Sequence, residues 1–157
     1  MNNNYLVPVK EDLTTEDLRL AITRGLASMF RKDHKLGEGE ELFLGEWGVV
    51  GDDGLVSRPG ATPVRNTFLV FCGVERTDVH ATGAVTLIKS SNVIAKSTRY
   101  NVAGTYSVGM ELTVKNLGAG EAGLTPAAAG EPVLATVEAI GQGYLEFSVM
   151  ASPYTKA

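Results

Sequence analysis

The sequence predicts a mainly β fold, a small antiparallel β-barrel or sandwich-like domain with one N-terminal α-helix, and three observations carry that expectation. Residues 132–150, PVLATVEAIGQGYLEFSVM, hold two alternating apolar runs on either side of Gly141-Gln142-Gly143. A period of two marks half-buried strands, and glycine on both sides of Gln142 supplies the backbone freedom of a tight reversal. The 18 glycines in 157 residues favour many turns over long helices. Only residues 14–32 repeat their apolar positions with a helical period.

In chain order, residues 1–12 form an N-terminal arm that is polar at first and then carries Leu6, Val7 and Val9 around Pro8. It reads as a disordered arm, an edge strand, or a segment that orders on a partner. Residues 13–36 are expected to be a helix and its link. Thr14 suits the N-cap with Asp17 at N3, and Leu13 and Leu18 sit where a hydrophobic staple closes. Leu18, Ile22, Leu26 and Met29 or Phe30 then fall on one stripe, which needs a sheet or another subunit to cover it.

A β-rich domain is expected over residues 40–150. Residues 42–56 read as two strands joined by an Asp52-Asp53-Gly54 turn, with Trp47 large enough to anchor either the core or an interface. Two prolines and a glycine make residues 58–65 a loop. Residues 66–73, NTFLVFCG, are the most apolar short run and predict a central strand. Further strands are expected at 83–88 and 110–114, with one or two short ones over 92–95 and 100–102 around a polar bend, a small-residue loop at 117–123, and a loose tail at 151–157.

Composition narrows the function classes. A net charge of −4, without any basic run beyond the short cluster at Arg31, argues against nucleic-acid and anionic-membrane partners. No apolar stretch is long enough to span a bilayer, and no signal-peptide core is evident, so a soluble protein made in the cytoplasm is expected. His34, His80 and Cys72 stand far apart without ligand spacing, and no metal or other cofactor is expected. Asp52-Asp53 reads as a turn rather than a cation site. Asp52, Glu75 and Glu138 act as general acid and base only if folding brings them together. The string Gly118-Ala119-Gly120-Glu121-Ala122-Gly123 has the spacing of a dinucleotide loop, but Leu124-Thr125-Pro126 follows where a helix is required. Lys89, Lys96, Arg99 and Lys115 are scattered, and suit acidic patches on a protein partner better than a nucleic-acid strand. The reading is therefore a non-enzyme. Its rivals are a carbohydrate-binding module using Trp47, Tyr100, Tyr106 or Tyr144, and a small hydrolase or metal-dependent enzyme.

Gly109 and Leu112, then Leu124, Thr125, Ala127 and Gly130, then Val133, Ala135 and Val137 give the last third a G-x-x-L, L-T-x-A-x-x-G, V-x-A-x-V cadence. Over residues 100–150 this resembles the small β-rich decoration, or cement, proteins on the heads of tailed bacteriophages. The resemblance implies a virion protein on the outer surface of the capsid, made in the host cytoplasm. It would bind the major capsid protein lattice, stabilise the expanded head, and associate with itself as a dimer or trimer. Residues expected at a partner or subunit interface are Tyr5, Leu6, Val7, Val9, Leu18, Ile22, Leu26, Met29, Phe30 and Trp47.

Overall fold

The computed structural model of the chain describes residues 19–73, 83–118 and 121–157. Among them eleven strands follow one another, and no helix occurs. In order they are β1 (Ala21–Arg24), β2 (Arg31–Lys35), β3 (Trp47–Val50), β4 (Val56–Ser57), β5 (Thr67–Cys72), β6 (Ala84–Ile88), β7 (Ile94–Ser97), β8 (Glu111–Gly118), β9 (Glu121–Pro126), β10 (Pro132–Ile140) and β11 (Leu145–Thr155). They build two antiparallel sheets, one ordered β1-β7-β11-β10-β8-β9 and the other β2-β6-β5-β3-β4.

The hairpin over residues 132–150 forms as expected. β10 pairs with β11 from Ile140↔Leu145 outward, and Gly143 takes the positive φ of the reversal. The Asp52-Asp53-Gly54 turn likewise joins β3 to β4, with the Leu55 amide donating to the Asp53 carboxylate at 3.0 Å. β5 is the middle strand of the five-stranded sheet, which explains its continuous apolar run. Leu69 faces one core, and Val70 and Cys72 face another.

The larger core lies between the sheets. Trp47 of β3 meets Phe147 of β11 with ring centroids 6.2 Å apart, and Leu69, Ile88, Leu112, Leu134 and Val137 close around them. The smaller core, built on Val70, Val85, Leu87 and Val56, lies on the far face of the five-stranded sheet under Leu36 and Leu42. Each sheet is also drawn round on itself by one isolated parallel bridge, Leu36↔Val56 in one and Tyr100↔Leu124 in the other. These contacts curl the sheets but do not make a closed barrel, so of the two expected forms the fold is the sandwich-like one.

Three expectations are corrected. The helix predicted over residues 14–32 is replaced, from residue 19 on, by β1, a turn and the start of β2; its first part lies outside the described residues. The reason is tertiary. β1 gains a ladder with β7, and Gly25, at φ +91, passes so close to the Asn92 carbonyl oxygen that a Cβ there would sit 2.0 Å from it. A 3.6-residue period is a weak local preference beside such pairing. The loop expected at 117–123 is instead the end of a hairpin, with β8 paired to β9 from Leu112↔Pro126 to Gly118↔Glu121. The tail expected from residue 151 is strand as far as Thr155, because β11 continues along β10 to Pro132↔Thr155.

Candidate interaction surface

The residues expected at an interface separate once they are placed. Tyr5, Leu6, Val7, Val9 and Leu18 lie outside the described residues. Trp47 is only 1% exposed and Met29 is buried, so both belong to the chain's own core, which corrects their assignment to an interface. Ile22 is half-buried and packs against the same core. Leu26 and Phe30 remain outward, 52% and 72% exposed.

The sequence puts Leu26 and Phe30 there through the β1–β2 turn. Gly25 opens the turn, and the Ser28 amide donates to the Gly25 carbonyl at 3.3 Å. The β6–β7 connection then pins it. The Asn92 side-chain amide donates to the Ser28 carbonyl at 3.3 Å, the Phe30 amide to the Ser90 hydroxyl at 3.1 Å, and the Lys89 amide to the Phe30 carbonyl at 2.7 Å. The Ala151 amide of β11 donates to the Ser91 hydroxyl at 2.8 Å, tying this connection to the six-stranded sheet. Two large apolar side chains are thereby held in water on a hydrogen-bonded mount, an arrangement suited to contact with another surface.

Elsewhere the expected chemistry is dispersed. Asp52 lines a cleft of about 580 Å³ with Glu38, Glu40 and Asp53, whereas Glu138 lies with Thr23, Arg24 and Glu146 in a separate cleft. Glu75 and His80 fall outside the described residues. Two carboxylates of the first cleft serve the backbone, Glu40 accepting from the Arg58 amide at 2.8 Å and Asp53 from Leu55. Among the described residues no group of three or more His, Cys, Asp or Glu is arranged to hold a metal. Cys72 is buried. No described helix is long and apolar enough to cross a membrane.

The aromatic candidates are likewise separated. Tyr100 and Tyr106 meet edge to face at 5.5 Å against the main core, and the Tyr106 hydroxyl donates to the Asn101 carbonyl at 2.6 Å. Burial, with Tyr100 beside it, pushes that hydroxyl's pKa up to about 12. Tyr144 stands apart on the β10–β11 hairpin with the Lys96 ammonium 5.2 Å from its ring centre.

Sequence reasoning found Leu26 and Phe30 but for a different reason, the supposed helical stripe. It missed the cationic groups Lys32 and Lys89 as neighbours, since nothing in the sequence shows that β2 pairs with β6. No protein-family model, curated protein or solved structure matches the chain.

Proposed function

We propose that this chain is a virion structural protein that binds the outer surface of the major capsid protein lattice and stabilises the expanded head of a tailed bacteriophage. The observation that carries the reading is the outward pair Leu26 and Phe30 on a turn fixed by Ser90, Asn92 and the Lys89 backbone. Such a pair gives a small protein an apolar contact that needs little ordering when a partner arrives. The class of partner comes from the resemblance over residues 100–150. The residues that carry it have structural roles: Leu112, Leu124, Thr125, Val133, Ala135 and Val137 are buried, and Gly109 and Gly130 take positive φ at turns. Self-association as a dimer or trimer over the symmetry axes of the lattice would multiply weak contacts through effective concentration.

The test is co-sedimentation of the purified protein with expanded phage capsids that lack decoration. Saturable binding at a fixed ratio to the major capsid subunit is expected. The Leu26→Ser, Phe30→Ser double variant should keep its far-UV circular dichroism and lose roughly tenfold or more in affinity. Failure to bind both expanded and unexpanded shells overturns the reading.

A further inference from the structure

β2 is polar throughout, and its register on β6 sorts its charges by face. Lys32 stands opposite Leu87 and His34 opposite Val85, so both lie on the side of the smaller core. Arg31, Asp33 and Lys35 occupy the alternate positions. Asp33 accepts from the Thr86 hydroxyl at 2.6 Å, and the Arg31 guanidinium lies over Phe71. The one carboxylate of the strand is thus on the face away from Lys32 and His34.

Lys89 completes the group on that face. It follows β6 by one residue, two positions beyond Leu87, and its ammonium sits 3.6 Å from the centre of the Phe68 ring. The ring holds the cation by its π-face, yet among the described residues no carboxylate pairs with Lys32 or Lys89. His34 follows on the same face of β2, with its Nδ1 3.4 Å from the Gly54 carbonyl oxygen and its Nε2 shut off from solvent without a hydrogen-bond partner among the described residues. Glu38, Glu40, Asp52 and Asp53 line the neighbouring cleft at the β3–β4 turn.

From this geometry we infer that Lys32 and Lys89, on one face of the β2–β6 pair with the Phe68 ring under the Lys89 ammonium, form a binding site for an oxyanion, a carboxylate or phosphate group. The chain is acidic overall, so a local concentration of cations that no described carboxylate pairs with is not a consequence of its general charge. Two ammonium groups on adjacent strands repel when empty, and an anion between them turns that repulsion into two charge-assisted hydrogen bonds. His34 then serves as the reporter. Desolvation and the neighbouring Lys89 and Lys32 lower its pKa, with the Gly54 carbonyl and Asp33 opposing them. An anion seated on the lysines offsets the cations and raises it. This site stands independently of the capsid reading.

The experiment is an NMR titration of the His34 imidazole, resolved from His80 by a His34→Gln variant. It is run in sodium chloride, inorganic phosphate and glutarate at matched ionic strength. A rise of about one pKa unit in phosphate or glutarate relative to chloride is expected. Response to phosphate alone assigns the phosphate class, to glutarate alone the carboxylate class, and to both a general oxyanion site. Lys32→Gln and Lys89→Gln should each remove most of the rise. The exposed Lys32 keeps the test decisive if the Lys89 variant is unstable. Equal titration in all three salts, or a rise that survives both substitutions, overturns the inference.

Discussion

At the scale of single residues, Trp47 is the clearest case of a side chain whose type is informative and whose partner is not. Its size alone allows a core or an interface; the structure puts it on Phe147, between the sheets. Trp47→Ala should therefore lower the unfolding free energy by about 3–5 kcal/mol, the range for emptying a large aromatic site. Urea denaturation followed by circular dichroism measures it. A variant of unchanged stability that had lost self-association would show instead an anchor. Gly25 teaches the complementary lesson. In the sequence it is a small residue beside an apolar stripe, but in the fold it lies where the Asn92 backbone leaves no room for a Cβ. No local pattern contains that information, because Asn92 is distant in the chain.

At the scale of elements, strands whose two faces differ in polarity were legible, and so were turns with glycine at the reversal. β6, β10, most of β11 and the β3–β4 turn lie where alternation and turn chemistry put them, and β5, buried on both faces, lies where a continuous apolar run puts it. β2 was not legible, since RKDHK has no apolar face; pairing with β6 alone makes it a strand. The end of β11, expected as a loose tail, contains Pro153. It is tolerated beyond Ser148, where β7 no longer pairs with β11. That end is firmly attached. The Lys156 amide donates to the Glu131 carbonyl and the Gly130 amide to the Lys156 carbonyl, both at 2.9 Å, while the Tyr154 hydroxyl and Lys156 ammonium converge on Glu111. Deleting residues 152–157 should cost about 2–3 kcal/mol of stability by chemical denaturation, mostly in backbone pairing. A true tail would be removed at no cost. For the candidate surface, the sequence identified the exposed pair Leu26 and Phe30 through a helix that does not form over the described part of that stretch. The Lys32–Lys89 pair depends on register between strands more than fifty residues apart, which composition and spacing do not encode.

For the molecule as a whole, the shared core makes the two sheets one folding unit. Trp47 is the chain's single tryptophan, it belongs to the five-stranded sheet, and it packs on the six-stranded one. Its fluorescence and the far-UV circular dichroism should therefore trace the same urea transition. Two separated midpoints would show that the sheets unfold independently. The path of the chain adds a last consequence. β1 leads out of the six-stranded sheet at Arg24, and after the entire five-stranded sheet the chain returns to pair Ile94 with that same Arg24. β1 and β7 are thus the two arms of an interrupted hairpin, and residues 25–93 are a contiguous insertion whose ends touch. Chain segments with touching ends can be enlarged, exchanged or duplicated without redirecting the strands on either side. The outer positions of the five-stranded sheet, Phe30, Lys32 and Lys89 among them, can accordingly vary without moving the six-stranded sheet, so long as Trp47, Leu69 and Ile88 keep its inner face on the shared core.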